Sequence, residues 1–268
     1  MGKLVNLFLI LSIVSSITVS SAEKAEIILS KTIDVPDRTI TFENQTFDIT
    51  DVGNYRNDED IRFTIEAEKG DDLLVILYNT EQLSVWFKRF TNTSGHIVAV
   101  IPSNRTEKTG TYAITVSKNR QIIGAIPLVV SDYEILLNTD SKKVMAGKTL
   151  RFDIEVNRNG IPVNVNDTIK VVLARGSSSI ETNATRKNTG TYEANIEIPK
   201  PMNGTYSLYS VIATNYKVFN NYPEILGIKS GGYIEILPLS EEKKVPAVSN
   251  ISVVLILLIT SIYMRKKL

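Results

Sequence analysis

Thr109-Gly-Thr-Tyr-Ala-Ile-Thr-Val116 is a turn that runs into a strand. Glycine supplies a backbone angle that other residues reach only with strain. After it, tyrosine, isoleucine and valine alternate with smaller or polar residues, the period of a half-buried strand. The text returns as Thr189-Gly-Thr-Tyr-Glu-Ala-Asn-Ile196, eighty residues later, and its Gly-Thr-Tyr core returns in Asn203-Gly-Thr-Tyr-Ser-Leu-Tyr-Ser-Val211. Such an internal echo implies a repeated module. Each tyrosine joins a buriable ring to a hydroxyl that needs a partner, which assigns it to structure rather than to catalysis.

The surrounding chain has the same grain. Arg62-Phe-Thr-Ile-Glu-Ala67 and Leu150-Arg-Phe-Asp-Ile-Glu-Val156 alternate, with Phe152, Ile154 and Val156 facing inward. Further short runs rich in β-branched and aromatic residues are 73–78, 83–90, 97–101, 112–116, 122–130, 169–173, 192–198, 206–213 and 233–237. Turn residues separate them every eight to twelve positions, the signature of antiparallel sandwiches, and no helical period is sustained. A turn followed by Gly-x-Tyr at a strand start resembles the corner of immunoglobulin-like sandwiches, where a tyrosine hydroxyl ties the loop to backbone. Asn159-Gly160 is a tight-turn signal. The run from Ala146 through Asn159-Gly-Ile-Pro-Val163 resembles the opening hairpin of bacterial and macroglobulin-type Ig-like domains.

The expected fold is therefore all-β: two tandem Ig-like antiparallel β-sandwiches, with a signal helix before them and a transmembrane helix after. Residues 1–22 read as a signal peptide, 23–131 as the first sandwich and 132–238 as the second. A juxtamembrane linker follows at 239–246, a transmembrane helix at 247–264 and a basic cytoplasmic tail at 265–268. Few residues join the two sandwiches, so a fairly stiff tandem rod is expected.

The ends carry the targeting information. Lys3 precedes the apolar run Leu4 to Val14, and Ser20 and Ala22 stand three and one before a cut ahead of Glu23, as signal peptidase requires. An uncleaved anchor is the alternative, which the shortness of the run disfavours. At the other end no charge falls between Val245 and Met264. Twenty residues at about 1.5 Å each span the hydrocarbon core. Arg265, Lys266 and Lys267 follow, and they keep that end cytoplasmic.

Composition excludes several chemistries. With no cysteine in 268 residues there are no disulfides, thiolate metal sites or cysteine nucleophile, and the cores must hold unaided. The single histidine, His96, leaves little room for imidazole catalysis. Of 30 Lys and Arg, six lie in the two ends, so residues 23–242 carry 24 basic groups against 29 acidic, about −5. Nucleic acid is an unfavourable partner for such a surface.

The site candidates are few. N-glycosylation triplets stand at Asn44, Asn92, Asn104, Asn166, Asn183 and Asn203, and Asn250 lies too near the bilayer to serve. Asp58, Glu59 and Asp60, near Asp48, Asp51 and Asp71-Asp72, would suit calcium, although no EF-hand spacing is present. A solvated turn is the plainer reading. The same carboxylates show no sign of a glycosidase pair. Trp86, in Ser84-Val-Trp-Phe-Lys-Arg-Phe90, is a candidate ligand contact whose alternative is core packing. There is no Gly-x-Ser-x-Gly elbow and no glycine-rich phosphate loop. No catalytic residue and no cofactor is expected.

Signal peptide, cysteine-free tandem sandwiches, many sequons and a terminal span together look like archaeal cell-surface proteins of the methanogen extracellular-domain type, on residues 78–130 and 133–237. Val245-Pro-Ala-Val-Ser and the apolar run after it are similar to archaeosortase signals. Pro246-Ala-Val-Ser departs from the usual Pro-Gly-Phe or Pro-Glu-Phe, so a retained span is expected first and removal second. The resemblance implies a non-enzymatic, single-pass, membrane-anchored surface or envelope protein with an extracellular N-terminal part. Its role would be adhesion or scaffolding, with envelope proteins or surface glycans as partners. The alternative is a carbohydrate- or ligand-binding accessory subunit of a membrane complex.

Overall fold

The computed structural model describes residues 24–42, 45–219 and 222–239. The expected signal peptide, transmembrane helix and basic tail, with all but the first residue of the linker, lie outside the described residues. Among those described, no helix is long and apolar enough to cross a membrane.

Up to Asp132 the strands are β1 (Glu26–Leu29), β2 (Thr32–Phe42), β3 (Gln45–Arg56), β4 (Ile61–Glu66), β5 (Leu73–Tyr78), β6 (Ser84–Phe90), β7 (His96–Ile101), β8 (Gly110–Lys118) and β9 (Gln121–Ser131). After it come β10 (Tyr133–Thr139), β11 (Lys143–Met145), β12 (Thr149–Arg158), β13 (Ile161–Pro162), β14 (Thr168–Arg175), β15 (Ser178–Asn183), β16 (Thr185–Asn188), β17 (Thr191–Glu197), β18 (Gly204–Val218) and β19 (Tyr222–Leu237). Strands before Asp132 pair only with one another, as sheets β1-β4-β7 and β2-β3-β9-β8-β5-β6. Those after it form β10-β12-β17-β16, with β13 beside β12, and β11-β19-β18-β14-β15.

Two pairings are parallel, β3 with β9 and β11 with β19. They align the two halves. β1, β4 and β7 then correspond to β10, β12 and β17. The C-terminal end of β3, with β9, β8, β5 and β6, corresponds to β11, β19, β18, β14 and β15. This is an immunoglobulin-type sandwich present twice. Each has its own core: Phe63, Ile65, Val75, Leu77 and Ile114 in the first, and Phe152, Ile154, Val156, Leu173 and Ile234 in the second.

The halves differ in two ways. Among the described residues the first has no counterpart of β16, so β7 is the last strand of its sheet. It also carries an insertion, the long hairpin β2–β3, where the second half has only the short step from β10 to β11. That hairpin is a clasp. Its Ile33, Val35, Ile40, Ile49 and Val52 form a third apolar core with Val129 of β9 and with Val172, Ala174, Tyr209, Val211 and Ile228 of the second half. In return Val218 and Phe219, at the tip of β18–β19, pack on Phe42, Ala113 and Ile122.

Polar ties follow the same path. Asp37 N donates to Gly176 O at 2.9 Å, Tyr222 OH to Thr39 O at 2.8 Å and Tyr233 OH to Asp34 Oδ2 at 3.1 Å. The join itself is short, Asp132 alone between β9 and β10, and a packed interface with main-chain and side-chain bonds backs it.

The three Gly-Thr-Tyr copies all place glycine at positive φ: 153° at Gly110, 70° at Gly190 and 94° at Gly204. Tyr112 OH donates to Lys108 O at 2.8 Å, the corner expected from the sequence. Burial pushes its hydroxyl up to about 12. Tyr192 OH instead accepts from Val165 N at 2.7 Å, and the Tyr206 ring lies 5.8 Å from the Arg175 guanidinium. Tyr112 opens β8 and Tyr192 opens β17, which are not equivalent strands. The topological mate of Tyr112 is Tyr206, in the weaker third copy.

Asn159-Gly160 forms the expected two-residue turn, with φ of 52° and 75°. A second such turn joins β8 to β9 through Asn119 and Arg120, at 52° and 67°. A long side chain at left-handed φ costs on the order of 1 kcal/mol. Arg120→Gly is therefore expected to stabilise the protein by about 0.5–1 kcal/mol, read as a raised melting temperature.

Candidate functional site

The acidic cluster sits in the turn between β3 and β4, where Asp58, Glu59 and Asp60 border one open concavity with Lys31, Arg56 and Arg62 but each has its own partner. Asp58 pairs with Arg56 at 3.2 Å, Glu59 with Lys31, and Asp60 accepts from Ser103 N at 3.0 Å. Among the described residues, no group of three or more His, Cys, Asp or Glu is placed to hold a metal ion.

Trp86 lies on β6, directly across from Leu77. It is half-buried and packs on the first core with Val85 and Phe90. The large apolar groups exposed here are Phe87 on β6, at 70%, and Leu83 just before it, at 57%. His96 Nδ1 is 2.6 Å from Glu66 Oε1 on the outer face of the three-stranded sheet.

Of the sequon asparagines, Asn92, Asn104, Asn166, Asn183 and Asn203 are all exposed, whereas Asn44 lies outside the described residues. The hydroxyl that completes the Asn104 triplet belongs to Thr106, which is fully buried and donates to Ser103 O at 3.1 Å.

Two concavities were not legible in the sequence, because each is assembled from distant segments. One, of about 260 Å³ at the junction of the halves, is lined by Asn79, Thr80, Glu81, Lys108, Tyr216 and Glu224. Tyr216 is 59% exposed there, and Lys108 Nζ stands 3.7 Å from Glu81 Oε1. The other is an open groove of about 490 Å³ along β1, β3 and β9, lined in part by Glu26, Asp48, Asp51 and Gly124.

Asp51 faces Asp34 across the β2–β3 ladder. Burial first, then the Asp34 charge, raise its pKa above the ordinary carboxylate value. A raised folded-state pKa favours the fold while the group is protonated, and that advantage is lost as pH rises through the folded value. Asp51→Asn is therefore expected to melt above the parent at neutral pH. The gap should close below roughly pH 4, where the parent is protonated too, and melting curves across that range check it.

No protein-family model and no curated protein matches the chain. Among solved structures it is similar to the FdeC adhesin of Escherichia coli, at 16% identity over 81% of this chain and 65% of that one, TM-score 0.30. A DUF4785 family protein from Legionella pneumophila is 13% identical over 81% of this chain and 60% of that one, TM-score 0.40. The D0-D1 domain of intimin is 12% identical over 79% and 97%, TM-score 0.28. The chain spans less than two thirds of the first two structures. The immunoglobulin-type fold is read from the strand order above.

Proposed function

We propose that the chain is a non-enzymatic module of a cell surface or envelope, anchored in a membrane by residues 247–264 with its β-rich part outside, and serving adhesion or scaffolding. The observation that carries this reading is the third apolar core. It converts two sandwiches into one strut, which suits a part that must hold a surface at a fixed distance. An archaeal source, glycans at Asn44, Asn92, Asn104, Asn166, Asn183 and Asn203, and envelope partners belong to the proposal and rest on sequence alone.

Protease treatment of intact cells, followed by intact mass of the membrane fraction, tests it. Release of the β-rich part from sealed cells is the expected result, and recovery of the full chain free in the cytosol would sink the reading.

A second reading, a carbohydrate- or ligand-binding accessory subunit, is favoured by the junction cavity with its exposed Tyr216. Saturable binding on a glycan array, lost in Tyr216→Ala but retained in Trp86→Ala, would select it.

A further inference from the structure

We propose that the open edge of β7 is where a second copy of this chain adds, antiparallel, to make one continuous six-stranded sheet. In the second half the equivalent strand β17 has β16 on its far side, and among the described residues β7 has no such neighbour. An edge strand is normally guarded by charge, proline or a bulge. β2 carries Pro36 and a register shift. Lys88 and Arg89 on β6, and Arg186 and Lys187 on β16, guard those strands by charge. Glu26, Glu134, Lys143 and Glu181 mark β1, β10, β11 and β15.

β7, His96-Ile-Val-Ala-Val-Ile101, has no Asp, Glu, Lys, Arg or Pro, and it pairs with β4 over six consecutive residues without a shift. Val98 is 69% exposed and Val100 40% exposed, and Ile28, 46% exposed, lies in the same cross-strand row as Val98.

The hydrogen-bond phase selects the register. Ala67 N donates to Gly95 O at 2.9 Å, so in that ladder Ile97, Ala99 and Ile101 bond to β4, while His96, Val98 and Val100 turn their N–H and C=O groups outward. The His96 carbonyl also accepts from Ser94 Oγ, which leaves it a second lone pair. Placing Val98 opposite Val98 of the second copy sets each His96 opposite a Val100. Every outward donor and acceptor then finds a partner, and no charged side chain opposes its like. Centring the pair on Ala99 instead would oppose His96 with Pro102, which has no N–H.

The chain has no cysteine, so one introduced thiol reports one contact. Full-length Val98→Cys, made in a host that does not glycosylate and held in detergent micelles, is oxidised beside full-length Val100→Cys and Leu83→Cys. Residues in a hydrogen-bonded antiparallel pair have Cα atoms about 5.5 Å apart, inside the disulfide range of about 4.4–6.8 Å. Val98→Cys is expected to yield at least tenfold more covalent dimer than either comparison variant. Adding Val100→Pro, which deletes an outward N–H that the pairing needs and leaves the bonds from β7 to β4 in place, is expected to remove that excess. Equal yields at the three positions, or monomer at all of them, would overturn the proposal. It goes beyond the anchored-strut reading, which either result leaves standing.

Discussion

Replacing Ile49 by aspartate is expected to split a single unfolding transition into two and to lower the first midpoint steeply. Ile49 is 3% exposed and lies on β3 in the core that includes Val129 from the first half and Val172, Tyr209 and Ile228 from the second. Truncation alone, as in Ile49→Ala, costs about 2–5 kcal/mol, and an unpaired carboxylate at the same place costs several kcal/mol more. Neither sandwich core contains Ile49, so each keeps its own centre when the clasp opens. The halves should then melt separately where the parent melts once. Calorimetry on parent and variant decides it. A variant that still unfolds in one step near the parent midpoint would show that the hairpin does not couple the halves.

The same clasp explains what the sequence hid. Leu150 to Val156 was readable because one face of β12 is buried and the other wet. β8 is buried on both faces from Gly110 to Val116, since Phe42, Val218 and Phe219 pack on Ala113 and Ile225 bonds to Thr111 on its outside. Its alternation is therefore one of size, Ala113 and Thr115 between Tyr112, Ile114 and Val116. β2 escaped notice because Asp34, Pro36, Asp37 and Arg38 interrupt it and its register shifts after Asp34. Its apolar residues answer to a partner more than a hundred residues away, which no local period records.

Among the sites, the acidic turn near Asp58 was legible as a turn. The junction cavity at Tyr216 was not, since residues 79–81, 108, 216 and 224 meet only after folding. The unguarded β7 did leave a trace, six residues with no full charge. It acquires meaning only once the strand order shows no described strand beside it.

Gly190→Ala is the sharper test of the repeated motif, because the protein contains its own control. Gly190 and Gly160 have nearly the same φ, 70° and 75°, so the left-handed penalty of about 1–2 kcal/mol is common to both. A Cβ at Gly160 would meet nothing within 4 Å. At Gly190 it would stand 2.7 Å from Pro162 Cβ and 3.0 Å from both Pro162 Cα and Val156 O. Two of those three atoms belong to backbone and cannot swing away. Relief would strain the bond from Val156 N to Gly190 O, at 2.8 Å, and the one from Gly190 N to Asn164 Oδ1, at 3.2 Å. Overpacking of this kind adds about 1–3 kcal/mol. Gly160→Ala is therefore expected to lower the melting temperature by a few degrees and Gly190→Ala by roughly 10 °C, at about 2–4 °C per kcal/mol for a chain of this size. Equal losses would mean that φ alone demands the glycine, and that the approach of Pro162 to the start of β17 carries no strain.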